Sequence, residues 1–146
     1  MATVSTYLNF TRNTEEAFNF YKSVFRTEFV GEISRFKDVP PTENMPPLHE
    51  ADKNLVMHVA LPTLDGHFLM GSDVPESIGI KVQPGNNVYI NLQPDTREET
   101  KRLFNALSAG GKVEMDLQDM FWGDYYGSCV DKFGIHWMVA CTEKNN

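Results

Sequence analysis

Laying Tyr7-Leu8-Asn9-Phe10 over Tyr89-Ile90-Asn91-Leu92 carries Asn13-Thr14 onto Asp95-Thr96 and Glu16 onto Glu98 without a gap. An internal repeat constrains a chain more than its composition does, because both copies must build the same supersecondary unit. Each copy reads as a short strand, a three-residue link and a helix start. In both, Asn13 or Asp95 is a natural N-cap, and Glu16 or Glu98 stands where it can return a bond to the cap and complement the helix dipole. The first helix continues with Ala17, Phe20, Tyr21, Val24 and Phe25, and the second with Thr100, Leu103, Phe104 and Leu107, all at helical spacing. Gly110-Gly111 ends the second.

The later part of each copy also matches. Residues 55–61 and 67–70, separated by Asp65-Gly66, read as a hairpin, and so do 126–131 and 136–139, separated by Phe133-Gly134. A further strand is expected near Glu28 to Phe36 and again near Val113 to Leu117. The fold class is therefore α+β, two βαβββ modules (about 1–80 and 81–146) forming one domain in a pseudo-two-fold arrangement. Each module alone leaves one sheet face uncovered, so the two are expected to pack together. Residues 37–54 have no counterpart. They hold Pro40, Pro41, Pro46 and Pro47, and neither strand nor helical period survives there. A loop of this length is either functional, as a lid over a pocket, or a solvated insertion.

Several classes of protein are excluded at this level. The net charge is -7 and Lys and Arg form no run, which argues against a nucleic-acid partner. No apolar stretch approaches the roughly 20 residues needed to span a bilayer, and the start, MATVSTYLNFTRN, does not read as a secretion leader. Cys129 and Cys141 lie in apolar alternating segments without CxxC spacing and are expected as buried reduced thiols. A cytoplasmic protein is the expectation.

Paired βαβββ halves with Glu16-Ala17 and Phe20-Tyr21 on the first helix resemble the glyoxalase/bleomycin-resistance (vicinal oxygen chelate) superfamily. The stretch Phe121-Trp122-Gly123-Asp124-Tyr125-Tyr126-Gly127, then Asp131-Lys132-Phe133-Gly134 and Trp137, resembles its PhnB-like branch, as do His58 and Leu69-Met70-Gly71-Ser72-Asp73. That branch is often called 3-demethylubiquinone methyltransferase-like, yet the glycine-rich strand-to-helix turn of a Rossmann-type methyltransferase is missing. The resemblance implies a small-molecule pocket and a homodimer. It also implies metal donors on the first and last strands of each module, and those positions fall on Thr6 or Tyr7, Met70, Val88 or Tyr89, and Met138. Thioethers are soft ligands and do not replace carboxylates for hard divalent ions, so neither a metal nor another cofactor is expected.

Strand alternation separates Leu8 and Phe10 from Tyr7 and Asn9, and Ile90 and Leu92 from Tyr89 and Asn91. If the aliphatic set packs under the helices, the Tyr-Asn pairs line a neutral, adaptable pocket together with Met70, Met138, Trp122, Tyr125 and His58. His58 could equally be a strand histidine satisfied by a hydrogen bond, and the Trp122 cluster could be core. Ser72 and Asp73 point to opposite faces and form no relay. Glu114 and Asp116 read best as a solvated face. The catalytic residues, if there are any, are unknown from the sequence. The expected function is small-molecule binding, with a metabolic enzyme of lyase, isomerase or dioxygenase type as the alternative, using a relocated metal or acid-base chemistry through His58, Asp73 or a tyrosine.

Overall fold

Alternation of apolar and polar side chains over Thr6–Phe10 makes β1 a strand with one face to hide, and Leu8 and Phe10 are indeed buried while Tyr7 and Asn9 are exposed. The structure, a computed structural model, describes residues 2–40 and 48–144. These form two compact units that meet in sequence at Gln83 and Pro84, three residues beyond the boundary expected from the repeat.

In the first unit β1 is followed by helix α1 (Thr14–Phe25), β2 (Ser34–Arg35), β3 (Val56–Pro62) and β4 (Phe68–Asp73). Their order in the sheet is β1-β4-β3-β2, with β1 and β4 parallel and the other neighbours antiparallel. The second unit runs β5 (Ile90–Leu92), α2 (Arg97–Ser108), β6 (Lys112–Asp119), β7 (Tyr125–Val130) and β8 (His136–Cys141). Its order is β5-β8-β7-β6, again with the first pair parallel. Two four-stranded sheets of identical connectivity, each carrying one helix, are the α+β pair of βαβββ modules that the repeat calls for.

One face of each sheet is closed by its helix. Ala17, Phe18, Tyr21, Val24 and Phe25 are buried on α1, and Thr100, Leu103, Phe104 and Leu107 on α2. Phe18 takes the place on the buried stripe that the sequence had assigned to Phe20, which is only half-buried. Gly71 makes this packing possible: a Cβ there would lie 2.6 Å from the Phe18 ring and 3.0 Å from the Leu8 carbonyl. Each fully buried Leu, Val or Phe contributes about 1.5–3 kcal/mol relative to an exposed one.

The helix caps differ from expectation. Asn13 precedes α1 but makes no side-chain cap bond. Instead the Thr14 N–H donates to Asp73 Oδ1 (3.0 Å), while the Val56 N–H donates to Oδ2 of the same carboxylate (2.8 Å). Asp73 is 3% exposed and so fastens the helix start to β3 from the end of β4. In the second module Thr96, not Asp95, caps α2, its hydroxyl accepting the Glu99 N–H at 3.1 Å. A hydroxyl one residue later reaches the first-turn N–H just as well, so the local sequence did not separate the two.

The expected β2 is reduced to two residues, and β6 is longer than expected at eight. Of the proline-rich segment, residues 41–47, including Pro41, Pro46 and Pro47, lie outside the described residues. The part that follows is anchored: Glu50–Asp52 forms a 3-10 turn, and the buried Asp52 accepts from Ser77 Oγ (2.6 Å) and Arg12 (2.8 Å), with Glu76 also on Arg12 (3.0 Å). Among the described residues no helix is long and apolar enough to cross a membrane.

Candidate functional site

The face of each sheet turned away from its helix gathers most of the expected site residues. On the first module, Tyr7 pairs in register with Met70 and Asn9 with Ser72. The Tyr7 hydroxyl lies 3.3 Å from His58 Nδ1, and the two rings are 5.9 Å apart. Ser72 Oγ donates to Asn9 Oδ1 at 3.4 Å, and Ser5 Oγ approaches the Met70 sulfur at 3.8 Å. Phenol, imidazole, amide, hydroxyl and thioether thus share one surface. His67 is apart from them, within 3.0 Å of the Thr6 hydroxyl.

On the second module Asn91 pairs with Met138, and the Tyr89 ring meets His136 edge-on at 5.0 Å. The Tyr89 hydroxyl donates to Glu114 Oε1 at 2.7 Å. This bond to a carboxylate raises the phenol above its usual pKa, so it remains a proton donor. Ile90 shares a register position with the buried Trp137 and faces the helix side, half-buried, with Leu92 buried beside it.

Tyr125 is not on this surface. It is buried, with the Arg97 guanidinium of α2 stacked 3.9 Å from its ring centroid, and Arg97 is in turn bound to Asp119 at 2.6 Å. Alternation then turns its neighbour Tyr126 to the open side, where Trp122 meets it edge-on at 6.4 Å. The Trp122 ring is 52% exposed and donates to Asp124 Oδ2 (3.1 Å), so it is a surface ring and not core. A Tyr-Tyr dipeptide carries no alternation of its own, and the decision between the two rings rests on Arg97, 28 residues away by number alone (125 − 97).

Glu114, His136 and Tyr126 join the surface without having been singled out for it. Glu114 and Asp116 read as a solvated face, and both are exposed. What the sequence did not show is the bond from Tyr89, which joins residues 25 apart, next to an irregularity in the β6–β7 pairing between Val113 and Met115.

The residues at the positions where the resemblance implies metal donors do not fit a divalent ion. Met70 and Met138 offer thioethers, Tyr7 and Tyr89 phenols, and no three His, Cys, Asp or Glu side chains converge among the described residues. A cleft of about 440 Å³ lies elsewhere in the first unit, lined by Thr11, Val74, Glu76 and residues 79–82. It contains none of the expected site residues and is formed by the connection leaving β4.

Two modules of this connectivity define the glyoxalase/bleomycin-resistance fold. An enzyme of the glyoxalase/bleomycin resistance protein/dioxygenase family from Burkholderia phytofirmans shares it, with a TM-score of 0.62 over 94% of this chain and 98% of its own, at 15% identity. Within that class, the family model described as 3-demethylubiquinone-9 3-methyltransferase matches residues 2–140, and the chain belongs to this PhnB-like family. The Escherichia coli protein YjdN is 30% identical over 97% of this chain and 96% of its own length. Protein PA1353 of Pseudomonas aeruginosa superposes with a TM-score of 0.80 at 30% identity, covering 99% of this chain and all of that one. The PhnB protein of Bacillus cereus gives 0.71 at 28% identity over 96% and 99%.

Proposed function

We propose that this chain is a PhnB-like small-molecule-binding protein that works without the metal site of its superfamily, holding an uncharged or weakly polar aromatic ligand on the helix-free faces of its sheets. The observation that carries the reading is the repeated grouping of a tyrosine, an asparagine and a methionine on each of those faces: Tyr7, Asn9 and Met70, then Tyr89, Asn91 and Met138. Thioether and phenol give adaptable apolar contact, and the amide and hydroxyl groups supply donors and acceptors without a charge to desolvate. The reading includes a homodimer, which rests on the resemblance, and a cytoplasmic site of action, for which the two buried reduced thiols are the support. Light scattering at micromolar concentration tests the dimer, and a monomer mass refutes it.

A second reading, a metabolic enzyme, is favoured by one observation: the Tyr7 hydroxyl and His58 stand within hydrogen-bond reach on an accessible strand face, as a general acid-base pair requires. Asp73 drops out of that reading, because both its oxygens accept backbone N–H groups beneath the helix. The methyltransferase description is not carried onto the chain. Cofactor binding of that kind uses a glycine-rich turn between a strand and the following helix. The corresponding links here are Thr11-Arg12-Asn13 and Gln93-Pro94-Asp95-Thr96.

A thermal-shift screen of aromatic metabolites, run with and without a chelator, tests the proposal. A ligand present at 100 times its Kd stabilises the fold by about 2.7 kcal/mol, a readily measured shift, and the chelator should leave it unchanged. Shifts that vanish with chelator would return the protein to the metal-dependent class.

A further inference from the structure

Tyr7 starts on β1 and its hydroxyl ends 3.3 Å from His58 Nδ1 on β3, with β4 standing between those two strands. Its side chain therefore lies across β4, on the side to which alternation turns Met70 and Ser72. Tyr7 is 47% exposed, so close to half of this side chain remains accessible as an aromatic platform. Ser72 stands in register with Asn9, and Gly71 with Val59, which sets His58 beside Ser72 on the neighbouring strand. Asn9, Ser72 and His58 thus form a row across β1, β4 and β3 next to the Tyr7 ring.

Both ends of that row are oriented by a hydrogen bond. Ser72 Oγ donates to Asn9 Oδ1 at 3.4 Å, which engages the amide oxygen and leaves the amide N–H₂ to face outward. Between Tyr7 and His58 the phenol is the stronger donor and the imidazole nitrogen the stronger acceptor, so the hydroxyl donates to Nδ1 and the imidazole proton stands on Nε2. Among the described residues, nothing accepts from the Asn9 amide nitrogen or from His58 Nε2. The second module is arranged otherwise: the Tyr89 hydroxyl donates to Glu114, and no hydroxyl among the described residues fixes the Asn91 amide.

Resting on the small-molecule reading above, we propose that the open face of the first module selects an aromatic carbonyl compound, its ring against Tyr7 and Met70 and its oxygen accepting from the Asn9 amide and the His58 Nε2–H. Ser72 and Tyr7 are positioning residues, because each decides which atom its partner presents. A ligand whose polar group only donates would leave both protein donors unmatched, and an unmatched donor covered by a ligand loses its water without recompense.

The test titrates the full chain by calorimetry with two aromatic probes of matched size: acetophenone, whose carbonyl only accepts, and 4-ethylaniline, which is uncharged in mildly alkaline buffer and is chiefly a donor. Acetophenone should bind at least about fivefold more tightly, the scale of one net neutral hydrogen bond. Asn9→Asp exchanges the donor for an acceptor at nearly constant shape on an exposed position, and His58→Phe keeps a ring while removing the second donor. Each should weaken acetophenone and spare 4-ethylaniline. Ser72→Ala should weaken acetophenone by less, since it frees the amide to turn without removing it. Imidazole nitrogen shifts in labelled protein should place the His58 proton on Nε2, and Tyr7→Phe, which keeps the platform, should release that tautomer to a mixture. A proton on Nδ1, or a preference that survives both Asn9→Asp and His58→Phe, overturns the assignment. Equal affinity for the two probes also overturns it and leaves the small-molecule reading standing, whereas no binding of either at millimolar concentration sinks both.

Discussion

Replacing Asp73 should cost more stability than any change on the open sheet faces. Its carboxylate is 3% exposed and receives two backbone bonds, from Thr14 at 3.0 Å and Val56 at 2.8 Å. Hydrogen bonds to a charged group contribute about 1.5–3 kcal/mol each, and a buried donor left without an acceptor loses a comparable amount. Asp73→Ala removes both acceptors at once and should destabilise the protein by roughly 3–5 kcal/mol, a large part of a typical domain's 5–15 kcal/mol. Asp73→Asn keeps one carbonyl oxygen and turns an amide N–H₂ towards the other donor, so its loss should be about half as large. Urea unfolding followed by circular dichroism near neutral pH measures both, with the slope unchanged if only the native contacts are lost. Should the alanine variant fail to fold, the asparagine variant still supplies the number. A loss below about 1 kcal/mol for alanine, or none for asparagine, would refute the claim that this carboxylate joins α1 to β3.

Three further outcomes are expected. Cys129 is fully buried, and burial foremost, with Asp131 and Glu114 adding repulsion, pushes its thiol up to about 12, so a thiol reagent should label it only on unfolding; rapid labelling of native protein would contradict the buried placement. Asp52 is held below its usual pKa by the bonds from Ser77 and Arg12, so what it contributes to stability is present above the unfolded value of about 3.9 and is lost as pH falls through its lower folded value. Asp52→Asn should therefore weaken the protein near neutrality and flatten the acid limb of its stability curve, and an unchanged acid limb counts against the anchoring role of Asp52. Elemental analysis of protein purified without chelator should find no stoichiometric zinc, nickel, manganese or iron, and about one ion per chain would restore a metal centre.

The parts of the fold that were legible are those written in a short period. Strand alternation placed Leu8, Phe10 and Leu92 under the helices and Tyr7, Asn9 and Asn91 on the other side, since one register decision turns every side chain of a strand together. The repeat gave the connectivity of both modules, because matching helix starts and hairpins leave few ways to lay out the strands. What escaped was set by tertiary contact. The true cap of α1 comes from Asp73, and no local window around Asn13 contains it. Tyr125 went under α2, where Arg97 stacks on it, and the bond from Tyr89 to Glu114 joins residues 25 apart in sequence. Phe18 displaced Phe20 because Gly71 leaves room for a ring there, a consequence of what lies across the interface and not of helical spacing alone.

The central claim is that the helix-free sheet faces bind the ligand, and methionine methyl NMR reads it directly. Met70 and Met138 stand in register with Tyr7 and Asn91 on those faces. With methyl-labelled methionine and a bound aromatic ligand, the account predicts that the Met70 or Met138 resonance moves in a saturable way and that the shift is lost when Tyr7 or Tyr89 is replaced by leucine. Saturable binding that leaves both methyls unmoved would contradict it and place the ligand elsewhere, such as the cleft beside Thr11 and Glu76.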